Sequence, residues 1–127
     1  IYEQIVFDGF QHTSIASISQ EVQKQCVVIN GVSKSYAMTG WRIGYIAAGD
    51  PEIVKQVGKL QGQSTSNPCA VSQAASIEAL TGPLDEVHEM VREFEKRRNI
   101  IVEQLSKIPG VTCNKPKGSF YSFPDFK

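Results

Sequence analysis

Apolar positions along the chain fall into short continuous runs and longer periodic ones. Cys26-Val27-Val28-Ile29-Asn30 is short, rich in β-branched residues and closed by Gly31, which predicts a buried strand. Ile43-Gly44-Tyr45-Ile46-Ala47-Ala48, ended by Gly49, predicts a second. Asp50-Pro51-Glu52 then carries three helix-start signals: a capping acid, proline at the first helical position and an acid in the first turn. Ile53, Val54, Val57 and Leu60 follow at the spacing of one buried helical face.

Residues 62–68 are polar and predict a loop. A second helix is expected over 71–80, stopped by Gly82-Pro83. The longest periodic stretch is 84–108. Val87, Met90, Val91, Phe94, Ile101, Val102 and Leu105 mark one side, and Glu93, Lys96 and Arg97 the other. That is a helix of more than about five turns. Pro109-Gly110 ends it, and strands are expected at Val111-Thr112-Cys113 and at 119–123, joined by a turn at Lys115-Pro116-Lys117-Gly118. The order of strand, loop, strand, helices and strand pair predicts an α/β fold, the edge of a large domain followed by the start of a smaller one.

Composition changes this picture little. With 127 residues and 41% apolar content the chain suits one modest domain with a sizeable core. Thirteen basic and thirteen acidic residues cancel, so no broad field favours nucleic acid or a membrane surface. No run of about eighteen apolar residues predicts a membrane-spanning helix. The opening residues lack the pattern of a signal peptide. Cys26, Cys69 and Cys113 fit neither a zinc site nor a disulfide framework; buried, reduced thiols and a cytoplasmic setting are expected. The aromatic strand expected near Lys127 and the apolar opening suggest an excerpt from a longer polypeptide.

The segment between the first two strands holds the candidate chemistry. Gly31-Val32-Ser33-Lys34-Ser35-Tyr36-Ala37-Met38-Thr39-Gly40-Trp41-Arg42 carries one lysine and, eight positions on, one arginine, with Ser33, Ser35 and Thr39 beside them. Hydroxyls and a forked guanidinium suit a phosphate dianion, and the lysine offers a nucleophilic amine. On composition alone, a solvated loop with ordinary surface charges is the favoured reading.

Gly31, Val32, Ser33, Lys34, Ala37, Met38, Gly40, Arg42, Ile43 and Gly44 occupy every constrained position of a known signature. The segment resembles the lysine-attachment site of class I and II aminotransferases, pyridoxal-phosphate enzymes of fold type I, and within them the aspartate-type subgroup. The resemblance runs the length of the chain. Ile1-Tyr2-Glu3 looks like the tail of the family's Asp-Glu-x-Tyr-Glu segment. Gln63-Ser64-Thr65-Ser66-Asn67-Pro68 resembles a loop that reaches the neighbouring subunit's active site, and Gly118-Ser119-Phe120-Tyr121 resembles the Gly-Ala-Phe-Tyr strand of the small domain.

That resemblance implies a division into residues 1–82, the C-terminal part of the large pyridoxal-phosphate-binding domain, and 83–127, an interdomain helix and the start of the small α+β domain. It implies pyridoxal 5'-phosphate as cofactor, held as a Schiff base by Lys34, which also serves as general base once released. Arg42 and Ser33 would hold the phosphate, and Tyr2 would hydrogen-bond the cofactor's phenolic oxygen. The implied reaction is transamination of an amino acid, aspartate first, with 2-oxoglutarate, in a homodimer. The family's pyridine-binding Asp and carboxylate-binding Arg would fall outside residues 1–127, so the chain alone is expected to be inactive. Two alternatives keep the same lysine: a C–S β-lyase, and the non-catalytic sensor domain of a transcription regulator. Trp41 is expected to pack beneath the loop. His12 and His88 have no partner at metal spacing and no metal is expected.

Overall fold

Asp50 does what its position requires: its Oδ1 accepts the Glu52 N–H at 2.9 Å, and Pro51 opens the helix behind it. The computed structural model describes all 127 residues. In chain order it contains α1 (Gln20–Gln25), β1 (Val27–Gly31), β2 (Gly44–Ala48), α2 (Pro51–Ser64), α3 (Ala70–Thr81), α4 (Asp85–Ser106), β3 (Val111–Cys113) and β4 (Pro124–Phe126), with 3-10 turns at Ile15–Ser17 and Thr39–Trp41. This is a mixture of helix and sheet, as the α/β reading required. The chain divides into two compact units. One comprises Ile1 and Thr13–Pro83, the other Tyr2–His12 and Leu84–Lys127.

In the first unit β1 and β2 form an antiparallel ribbon registered from Val27↔Ala48 to Gly31↔Gly44. Ser19 caps α1, its Oγ accepting the Val22 N–H. The strands are less covered than their apolar runs predict: Ile29 is 72% exposed. The helices packed most closely against the ribbon, α1 and α2, lie along β2, so β1 gains little cover. The apolar stripe of α2 is likewise open, with Leu60 71% exposed and no residue of the helix buried. Periodicity fixed the helix correctly but not what lies against it. α2 also runs through Ser64, three residues into the expected loop.

The second unit is built around Ile5, Phe7 and Val87, all buried. Each such side chain contributes about 2 kcal/mol through removal from water. Segment 5–7 pairs antiparallel with 117–119: the Phe7 N–H donates to the Lys117 carbonyl at 2.9 Å and the Ser119 N–H to the Ile5 carbonyl at 2.8 Å. Gly118 permits this approach, because a Cβ there would lie 2.8 Å from the Ile5 carbonyl oxygen. Asp8 and Gly9 are both left-handed, at φ 55° and 70°, and the Phe10 N–H closes the turn onto the Phe7 carbonyl.

The strand expected over 119–123 is displaced. Ser119 is left-handed at φ 65°, and its Oγ accepts the Tyr121 N–H at 3.2 Å, a local turn that competes with an extended ladder. Pairing with β3 is made instead by β4, in register Val111↔Phe126 and Cys113↔Pro124. Pro124 is tolerated as the first residue of an edge strand. The single sizeable core is replaced by two smaller clusters. The expected burial of all three cysteines fails too: Cys69 is exposed, and Cys26 and Cys113 are half-buried.

One ionic cluster binds the second unit together. The Arg98 side chain, 4% exposed, donates Nη1 to Asp8 Oδ2 at 2.8 Å and Nη2 to Asp8 Oδ1 at 3.0 Å. Nη2 also reaches Glu95 Oε1, Nη1 donates to the Pro116 carbonyl, and Lys115 Nζ lies 3.2 Å from Asp8 Oδ1. The hydrogen bond from Arg98 holds the Asp8 carboxyl down to about 2 against the opposing effect of desolvation, with a lesser contribution from Lys115. The stabilisation this depression represents is complete above the ordinary value of 3.8 and is lost as pH falls through about 2. Acid titration is expected to loosen segment 2–12 within that window, read by amide exchange at Phe7 and Phe10. Asp8→Asn should remove that step from the exchange profile, and an unchanged profile contradicts the assignment.

Candidate cofactor site

The loop carrying Lys34 is tied at its mouth by two glycines. Gly31 and Gly44 are register partners, and a Cβ on Gly31 would lie 2.8 Å from the Ile43 carbonyl oxygen and 3.2 Å from the Gly44 Cα. Only glycine allows the two backbones this close. Residues 32–43 therefore form one closed excursion. Lys34 leaves it three residues after one side of the mouth, and Arg42 two residues before the other.

Two fully buried residues, Val32 and Ser35, anchor the first half. Ser35 Oγ donates to the Ile1 carbonyl at 3.1 Å. Ser33 and Lys34 sit between these anchors, half-buried. Tight turns fix the backbone around them, the Tyr36 N–H donating to the Val32 carbonyl and the Ala37 N–H to the Lys34 carbonyl.

The second half is held in strained backbone. Ala37 at φ 53° and Arg42 at φ 54°, ψ 49° are left-handed without being glycine. Such residues cost on the order of 1 kcal/mol each and gather at ligand-binding sites. Arg42 Nη1 donates to the Thr39 carbonyl at 3.1 Å, which orients an otherwise exposed guanidinium. Trp41, expected beneath the loop, is 43% exposed. A Cβ on Gly40 would meet open space, so nothing within the chain demands glycine there.

Tyr2 belongs to the other unit. Its hydroxyl lies 2.9 Å from that of Tyr121, and its ring stands edge-on to Phe120 and Tyr121 at 5.2 and 5.7 Å. The hydrogen bond with Tyr121, and then desolvation, raises the Tyr2 phenol above its ordinary value. Sequence reading did not find the role of Tyr121, because no spacing rule links residues so far apart. Ser35, grouped in sequence with the hydroxyls suited to a phosphate, is instead buried and donates to the Ile1 carbonyl.

A half-buried primary amine, a neighbouring hydroxyl and a tethered guanidinium on one closed loop form a donor set matched to an aldehyde-bearing phosphate ester. Pyridoxal phosphate fits these residues. The sequence model of the family "Aminotransferase class I and II" matches residues 1–127, the whole chain. The chain belongs to this family.

Among individual aminotransferases, the aspartate aminotransferase of Geobacillus stearothermophilus is 52% identical over 98% of this chain and 32% of its own length. The asparagine–oxo-acid transaminase of Streptococcus mutans is 50% identical over 100% of this chain and 32% of its own. The chain thus spans about a third of the length of the relatives it matches. The crystal structure of the Rhizobium meliloti aspartate aminotransferase superposes with a TM-score of 0.92 at 44% identity, over 98% of this chain and 31% of that one. The aromatic aminotransferase of Pyrococcus horikoshii gives 0.91 at 36% identity, over 98% and 33%. The two units described above therefore have the fold of the corresponding part of a fold type I aminotransferase. No helix is long and apolar enough to cross a membrane, and no group of three or more His, Cys, Asp or Glu could hold a metal.

Proposed function

We propose that this chain is part of a pyridoxal-phosphate-dependent aminotransferase that transfers the amino group of aspartate to 2-oxoglutarate. The observation that carries the reading is the loop closed by Gly31 and Gly44, which carries Ser33, Lys34 and Arg42. When bound, the cofactor supplies an electron-withdrawing ring that makes the substrate's α-proton removable. Lys34 Nζ would hold the cofactor covalently at its aldehyde carbon. When its amine is free, Lys34 Nζ would take the α-proton and return it, a transfer favoured by proximity. Arg42 binds the phosphate through its planar donor fork, with the Ser33 hydroxyl beside it. Tyr2 donates its phenolic hydrogen to the cofactor's phenolic oxygen.

Residues 1–82 are read as part of the large cofactor-binding domain and 83–127 as the interdomain helix and the start of the small one. A homodimer in the cytoplasm, without nucleic-acid or membrane partners, completes the reading. Substrate choice follows the relatives named for aspartate. The test uses a polypeptide of the relatives' length carrying this sequence, loaded with cofactor and offered aspartate, asparagine and aromatic amino acids with 2-oxoglutarate. Oxaloacetate as the fastest-formed product supports the aspartate reading. A faster asparagine or aromatic reaction replaces the substrate but keeps the chemistry. Pyruvate and sulfide from cysteine-type substrates, or no turnover at all, overturns it.

Arg42→Ala in the same protein should weaken cofactor binding by about 10- to 100-fold, the loss of a charge-assisted phosphate contact. Spectroscopic titration with pyridoxal phosphate measures this. Arg42→Lys should recover only part, since the fork is lost while the charge remains.

A further inference from the structure

Tyr2 and Tyr121 stand 119 residues apart in sequence and meet hydroxyl to hydroxyl at 2.9 Å. Their meeting is built into the second unit. The Ile5 N–H donates to the Tyr2 carbonyl, the Ser119 N–H to the Ile5 carbonyl, and the Tyr121 N–H to Ser119 Oγ. One run of hydrogen bonds therefore ties the backbone of both tyrosines. Left-handed Ser119 turns the chain so that Tyr121 follows it toward Tyr2. Phe120 fills the space between: its ring stands edge-on to Tyr2, 5.0 Å from Tyr121, and 5.5 Å from Phe94 on α4.

A phenol carries one proton. In a pair of phenols sharing one hydrogen bond, one hydroxyl donates and the other accepts, and the acceptor keeps its own proton for a third group. Resting on the reading of Tyr2 given above, we propose that Tyr121 is a positioning residue for the cofactor site: its hydroxyl donates to Tyr2 Oη and so commits the Tyr2 proton to the cofactor's phenolic oxygen. Hydrogen bonds in series polarise one another, so Tyr2 becomes a stronger donor than a lone phenol. Tyr121 touches neither substrate nor cofactor in this arrangement; it acts through Tyr2.

The test reads the pH at which the visible absorbance of the Lys34-bound cofactor changes, in wild type, Tyr2→Phe, Tyr121→Phe and the double variant. A donor to the phenolic oxygen favours its deprotonated form, so losing that donor moves the transition to higher pH. Tyr2→Phe should raise it by about one pH unit, and Tyr121→Phe by roughly half as much. In the Tyr2→Phe background, Tyr121→Phe should add nothing. A shift with Tyr2→Phe but none with Tyr121→Phe overturns the positioning role and leaves Tyr2 in place. An equal Tyr121→Phe shift in both backgrounds overturns it as well, since Tyr121 would then act by another route. No shift with Tyr2→Phe overturns the assignment of Tyr2 itself and this inference with it. Ultraviolet titration of the phenols without cofactor is a second reading: with no cofactor oxygen to receive it, the Tyr2 proton goes to Tyr121 and the phenol is raised, so Tyr121→Phe should lower the ionisation midpoint of Tyr2 there, and an unchanged midpoint contradicts the pair.

Discussion

Lys34→Ala is expected to lower transamination by about 10⁴-fold or more while leaving the fold intact. The loss is large because one amine has two duties. In the proposed function it would hold the cofactor covalently and would carry the α-proton; a positioned general base alone contributes about 10²- to 10⁴-fold. The fold should survive because the loop is anchored elsewhere, by buried Val32 and Ser35 and by the Gly31–Gly44 pair. Lys34 is itself only half-buried, and such substitutions away from a packed core usually shift stability by about 0.5 kcal/mol or less. Lys34→Arg separates charge from nucleophilicity: it keeps the cation and should be as inactive as the alanine variant. Steady-state kinetics checks both. Turnover within tenfold of wild type in either variant would remove Lys34 from the chemistry.

Arg98→Ala is expected to destabilise the second unit by about 3 kcal/mol, the low end for breaking a buried ion pair because the Asp8 side chain is still 44% exposed. The guanidinium touches Asp8 with two nitrogens, Glu95 and the Pro116 carbonyl, and lies 4.8 Å over the Phe7 ring. Removing it leaves a carbonyl and two carboxylates without their shared donor and uncovers a buried aromatic face. The damage should concentrate in segment 2–12, which reaches α4 through this side chain. Arg98→Lys should not repair it, since one ammonium cannot make the two parallel bonds to Asp8. Urea unfolding measures the loss. A change below about 0.5 kcal/mol in the alanine variant would show that the cluster is solvated rather than structural.

The elements that the sequence announces most clearly are those whose signals are local. The start of α2 is written in Asp50-Pro51-Glu52, and the length of α4 in its apolar period. The loop from Gly31 to Gly44 could be singled out as a candidate phosphate-and-amine site, and its glycines acquire a reason in the register pair they form. What was not legible depended on partners distant in sequence. Asp8-Gly9 is a turn signal, yet nothing near it in sequence shows that Asp8 meets Arg98. The strand expected at 119–123 was misplaced because β-propensity in Ser119-Phe120-Tyr121-Ser122-Phe123 lost to a left-handed turn at Ser119. Exposure was misjudged for the same reason. An apolar stripe such as that of α2 reports a preference for cover, while the cover itself is set by other segments.

The central claim is that Lys34 Nζ is the atom on which the cofactor is carried. Borohydride reduction of the cofactor-loaded protein, followed by proteolysis and mass mapping, tests it without reference to turnover. The expected result is a single modified peptide, containing Lys34 and heavier by one reduced pyridoxyl phosphate. Modification at another lysine instead, such as Lys24 or Lys59, or none above background, would contradict it.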